Sequence, residues 1–361
     1  MNMNQVKTFT LKKLALAASL LAVTSAANAG YTIKLGDDQS LTFSGYLKAD
    51  FRYIDGTVAP RDYWIGTGTA LNESISNLNF AVNESRFNTK YVNGDVTGFV
   101  EIDFYGAAVK GGYGGANEVF TNSSNPRIRH AFIKYKNLLV GQTWSTFVNT
   151  STFAETADFG GALNAEAFVR QTQARYTMGN FQVAVENPET YGGQVGEDSI
   201  PDVVVRYNLK GDWGNVAFSG LARQLNIQDS LGGGTESAFG LGITGRVNTF
   251  GKDDVRFQLH LGNTGRYVGV AAVTDVVGTE AEESVSVMVA YRHFWTEDIR
   301  STAFYGNTQT DLSDRDRTHW GVNLFKSFTK QLSFGVELGN FEIADQNADS
   351  NYAQVSAKYV L

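Results

Sequence analysis

The sequence predicts an all-β protein, a transmembrane antiparallel β-barrel of about sixteen strands, and three observations carry that prediction. Apolar and polar residues alternate with a period of two in run after run of the 361-residue chain, so extended segments carry one oily and one polar face. The connections alternate between short turns and long polar, Gly-rich loops, with aromatic residues bordering the short ones, which is the pattern of outer-membrane barrels. After Gly30 no stretch reaches the roughly 18 continuous apolar residues of a transmembrane helix.

The elements follow in order. Lys12 and Lys13, an apolar run from Leu14 to Val23, and the small residues Ala27-Asn28-Ala29 read as a secretory signal peptide over residues 1–29, which leaves residues 30–361 as a single barrel domain. Removing the signal takes Lys7, Lys12 and Lys13 but no acid from a formal net charge of −7, so the remainder carries −10. A chain this acidic is not a general nucleic-acid binder, because phosphate neutralisation needs clustered excess cation. Cysteine is absent, which excludes disulfides, thiolate nucleophiles and thiolate metal sites. Abundant Gly, Phe and Tyr with only 4 Pro favour sheet.

Leu41, Phe43, Leu47, Phe51 and Tyr53 alternate with Thr42, Ser44, Lys48, Asp50 and Arg52. The same dyad runs from Val203 to Leu209, Phe239 to Val247, Val255 to Leu261, Val285 to Tyr291, Leu332 to Leu338 and Ala353 to Leu361. Short connections are read at Asn93-Gly94, Lys136-Asn137, Gly179-Asn180, Lys210 to Asp212, Gly251 to Asp253, Thr296 to Asp298 and Thr329-Lys330. Long ones are read from Asp55 to Asn77, Gly106 to Asn125 and Tyr267 to Glu280. Long loops are expected outside the cell and short turns in the periplasm.

If the apolar parity faces lipid, the opposite parity lines a water-filled lumen. That parity collects Lys48, Arg52, Arg86, Lys90, Arg129, Arg175, Arg206, Arg223, Arg246, Arg256, Arg266, Arg292, Arg300 and Lys358, a basic wall inside an acidic protein. In-facing Glu84, Glu101 and Asp103 are the expected partners of nearby arginines. The segment from Ser145 to Glu166 has no strand pattern yet carries Phe147, Phe153 and Phe159. Such a loop is expected to fold into the barrel and narrow it, setting Glu155, Asp158 and Glu166 across from the arginine wall.

The run RIRHAFIKYKNLLVGQTWSTF from Arg127 to Phe147, followed by ETADFGG from Glu155 to Gly161, resembles the DcaP-like branch of trimeric sixteen-stranded porins. The resemblance implies a homotrimer, a third extracellular loop lining the constriction, and uptake of small anions such as dicarboxylates. It assigns Arg127 and Arg129 to the basic wall and Glu155 and Asp158 to the constriction loop. Two features depart from it. The last residue is Leu361 where such porins usually end in Phe, although Tyr359 matches the aromatic two positions earlier. The chain also reaches its first strand within about ten residues of Gly30, which leaves no room for the coiled-coil stalk of some relatives.

The expected function is an outer-membrane porin of a Gram-negative bacterium, without cofactor or metal, surrounded by lipid and lipopolysaccharide and passing small anionic solutes. The alternatives are a non-selective general porin and a hydrolase built on a barrel. Against the hydrolase, no Gly-x-Ser-x-Gly elbow exists and Ser145 has no local partner. His130, His260, His293 and His319 show no metal-binding spacing. Lys110 to Gly115 lacks the ending of a phosphate-binding loop.

Overall fold

The computed structural model describes residues 30–106, 124–269 and 274–361. The signal peptide read over residues 1–29 and the segment Lys110 to Gly115 lie outside them.

Strand β1 (Tyr31–Lys34) folds back on the start of β2 (Gln39–Val58). The wall continues through β3 (Ala70–Ala81), β4 (Arg86–Asn93), β5 (Val96–Gly106), β6 (Asn125–Tyr135), β7 (Leu138–Trp144), β8 (Arg170–Met178) and β9 (Phe181–Glu186). It goes on through β10 (Asp202–Gly211), β11 (Gly214–Asn226), β12 (Thr235–Asn248) and β13 (Asp254–Gly262). A small hairpin, β14 (Val276–Val277) with β15 (Glu280–Ala281), is not hydrogen-bonded into the wall but packs on it, Val276 and Ala281 meeting Leu225 and Ala238. The last five strands are β16 (Ser284–Phe294), β17 (Ile299–Thr310), β18 (Asp316–Ser327), β19 (Leu332–Ile343) and β20 (Ala348–Val360). Antiparallel pairing of β2 with β20, from Tyr46↔Val360 to Gly56↔Ser350, closes the ring. Because β3 and β4 both pair with β2 as two halves of one wall strand, the closed barrel has sixteen strands.

Between β3 and β4 the ladder is interrupted, and a side chain replaces it. Ser85 Oγ accepts the Lys48 N–H at 3.0 Å and donates to the Lys48 carbonyl at 3.2 Å, so the backbone groups stranded by the break are satisfied. The break also lets Glu84 turn inward beside Lys48. Nearby, one edge of β2 passes from β4 to β3 and the other from β1 to β20, and Gly45 sits at that point with φ +148°, where a Cβ would stand 2.0 Å from the Arg86 carbonyl oxygen. Only glycine permits strands to approach that closely.

The alternation is realised as an inside-out distribution. Phe80, Ile133, Leu241 and Leu338 are exposed on the outer face, whereas Gln258, His260, His319 and Glu337 are buried inside. Trp213, Phe250, Trp295 and Phe328 are exposed beside the short turns, as expected of an interfacial aromatic girdle. The first long connection is shorter than the sequence suggested, since β2 persists to Val58 and β3 resumes at Ala70. Asn72, Ser74 and Ser76 are polar residues on an outward strand parity. Polarity there marks strand that extends beyond the apolar belt, not a loop.

Candidate pore site

The loop of residues 145–169 joins β7 to β8 and packs inside the barrel, with Phe147, Ala157, Asp158, Leu163 and Glu166 all buried. A loop without a ladder must find other partners for its main chain, and inward side chains supply them. Three glutamates accept its N–H groups: Glu186 that of Thr146 at 2.7 Å, Glu166 that of Ala154 at 3.1 Å, and Glu337 those of Ala157 at 2.7 Å and Asp158 at 3.2 Å. Its carbonyls accept from Lys48 and Gln354 at Ala157, from Asn323 at Glu155, from Arg256 at Phe153 and from Arg206 at Val148. Asn164 donates to the Gly306 carbonyl at 2.9 Å and accepts from Thr308 at 2.6 Å.

The basic residues fall into groups. Lys48 pairs with Glu84 and lies 3.4 Å from Asp50, and Arg52 pairs with Asp158 while stacking on Trp64 and Tyr352. Asp158 also accepts the Trp64 N–H at 3.2 Å, which ties the loop before β3 to the third loop. Arg127 and Arg129 share Asp103, and Arg129 also bonds Glu101 at 2.8 Å. Arg246, Arg256 and Arg292 converge on Asp254 at 3.2, 2.6 and 2.6 Å. Arg300 takes Glu155 at 2.6 Å, with Arg292 on the same carboxylate at 3.2 Å.

Other cations have aromatic or carbonyl partners instead. Arg86 lies over the rings of Tyr46 and Phe159, Lys358 over Tyr46, and Arg170 over Trp144 and Phe168. Arg206 bonds Gln182 at 2.6 Å, and Arg175 reaches the Trp144 carbonyl at 3.5 Å. Lys90 is exposed toward the turn end, opposite Thr42 and Phe99. Arg223 and Arg266 are not part of this constellation: Arg223 binds Asp202 and Asp275, and Arg266, which lies in the loop after β13 and not in a strand, binds Asp202 at 3.1 Å.

The loop carboxylates do not stand across a gap from the wall. Glu155 and Asp158 contact its arginines directly, and Glu166 is buried within the loop's own fold. Burial raises the Glu155 carboxyl, but Arg300 and Arg292 outweigh it and hold the group below the usual carboxylate range. Glu166 has no such partner, and burial pushes it up to about 8 against the Ala154 N–H and the Arg256 charge. No motif in the sequence marks Glu337, Asn323 and Gln354 as partners of the loop. Glu337 was nonetheless legible as a lone acid on the inward parity of the Leu332 to Leu338 run.

A cavity of about 430 Å³ lies beneath the third loop and opens toward the turn between β18 and β19. Its cations are Lys48, Arg86, Arg129, Arg300, Lys330 and Lys358, and its acids Glu84, Glu155 and Asp158.

A closed sixteen-stranded barrel, oily outside and polar within, with a loop folded into its lumen, defines an outer-membrane channel of the porin type. A family model for the DcaP outer membrane protein matches residues 18–340, and the chain belongs to that family, located in the outer membrane. The fold is similar to the crystal structure of the outer membrane channel DcaP of Acinetobacter baumannii, at TM-score 0.77 and 20% identity, covering 91% of this chain and 99% of that one. It is also similar to an anion-selective porin from Comamonas acidovorans, at TM-score 0.60 and 10% identity, covering 90% and 100%. A loop-deletion form of OmpT, an outer membrane protein of Vibrio cholerae, gives TM-score 0.59 at 13% identity, covering 90% and 100%. No sequence among the curated proteins matches the chain.

Proposed function

We propose that this chain is a passive diffusion channel for small hydrophilic solutes that prefers anions such as dicarboxylates. Its loop end faces outward and its turn end the periplasm, and three copies associate in a membrane of lipid and lipopolysaccharide. The charge around the 430 Å³ cavity carries the reading, with six cations against three carboxylates. Two unit charges about 8 Å apart in water interact by roughly 0.5 kcal/mol, reduced to about 0.2 by physiological salt. Three uncompensated cations therefore separate a monovalent anion from a monovalent cation by about 1.2 kcal/mol, or roughly eightfold. A dianion gains about twice as much as a monoanion. The fold shared with an anion-selective porin supports the same reading, and a similar OmpT structure in a trimer form supports the assembly.

Reversal potentials across a planar bilayer under a KCl gradient test it. Chloride should pass several times more readily than potassium. A potential near zero would mark a non-selective porin instead, and a potassium preference would refute the proposal. Cross-linking in native membranes should give a trimer.

A further inference from the structure

The third loop places one of its own carboxylates where an anion would bind. Glu155 receives Arg300 Nε on both oxygens at 2.9 Å, Arg300 Nη2 at 2.6 Å and Arg292 Nη1 at 3.2 Å. Both guanidiniums are fixed from behind, Arg300 by Ser327 Oγ at 3.1 Å and Arg292 by Asp254 at 2.6 Å. The Arg300 fork and a single N–H of Arg292, whose own fork is held by Asp254 through Nε at 3.0 Å and Nη2 at 2.6 Å, aim at one point and make a site for a carboxylate or oxyanion. The site is open to water, since the side chains of Arg292, Arg300 and Glu155 retain 16, 18 and 23% exposure, and Arg300 and Glu155 border the cavity. The main chain here does not depend on the Glu155 side chain. Its carbonyl is held by Asn323 at 2.8 Å, and the Ala154 and Ala157 N–H groups by Glu166 and Glu337.

We propose that Arg292 and Arg300 form an oxyanion subsite and that Glu155 is its tethered competitor. While Glu155 fills the subsite, the cavity carries less net positive charge, and anions pass without being trapped. The subsite itself follows from this geometry, whereas its role in transport rests on the anion-channel reading.

The test is Glu155→Gln in the full-length channel, in planar bilayers, with sulfate as the probe. The sulfate concentration that halves the chloride current should fall at least about fivefold, and the chloride-to-potassium permeability ratio should rise about twofold for one charge removed. The double variant E155Q/R300Q restores the net charge and dismantles the fork, so both quantities should return close to wild type. Wild-type sulfate block in E155Q would overturn the proposal, as would tight block that survives in the double variant. An enlarged size limit for neutral sugars in E155Q would also overturn it, by making Glu155 a loop anchor. A wild-type channel that prefers potassium would refute the anion-channel reading and leave the sulfate comparison between variants intact.

Discussion

At neutral pH the carboxyl of Glu166 is protonated, because burial pushes it up to about 8 from an ordinary 4.5. The folded state thus keeps a proton that the unfolded chain releases. Below pH 4.5 the group costs nothing, between 4.5 and 8 stability declines, and above 8 a penalty of a few kcal/mol remains. Glu166→Gln should therefore resist denaturant better than wild type at pH 9 and equally at pH 5. A pH-independent difference would mean that Glu166 is ionised in the fold. Asp158 has the opposite character. In Asp158→Asn the buried guanidinium of Arg52 keeps Gln354 as a neutral partner but loses the carboxylate it pairs with directly. The cost should be about 3 kcal/mol or more, seen as new proteolytic cleavage within residues 145–169. The charge of both acids was legible in the sequence. Their environments were not, because burial depends on what the loop packs against.

The element that shapes the lumen is the third loop, and its seat on the wall is cut by glycines. At Gly306 a Cβ would meet Ala162 Cβ at 2.7 Å and Asn164 Oδ1 at 3.1 Å. Gly306→Val should push the loop off β17 and raise the size limit for neutral sugars in liposome swelling. Gly98→Val, where a Cβ meets nothing within 4 Å, should leave uptake unchanged. Sequence patterns located the seven short turns, because two- to five-residue connections carry their own chemistry in pairs such as Asn93-Gly94 and Gly179-Asn180. They placed the third loop through its aromatic residues and missing alternation. They could not show that Glu186 and Glu337 would hold its main chain, since those contacts join the loop to strand residues 40 and 180 positions away.

For the molecule as a whole, the proposed anion preference is a sum over cations that lack a paired acid. Arg86 and Lys358 border the cavity over aromatic rings and, among the described residues, have no acid within ion-pair distance. Arg86→Gln should lower the expected eightfold chloride preference to about fourfold, and adding Lys358→Gln to about twofold, both read from reversal potentials. Abolition by the first change alone would contradict the additive picture. Arg206→Gln or Arg256→Gln should alter the size limit as well, since both residues hold third-loop carbonyls. The sequence by itself determined the barrel, which parity faces outward and the abundance of inward arginine, because a period of two is a local property of an extended chain. Only the tertiary structure decided which of those charges are spent. Arg52 and Asp158 lie 106 residues apart, and Arg300 and Glu155 lie 145 apart. Compensation depends on distances of a few ångströms that close only when the barrel and its third loop have both formed.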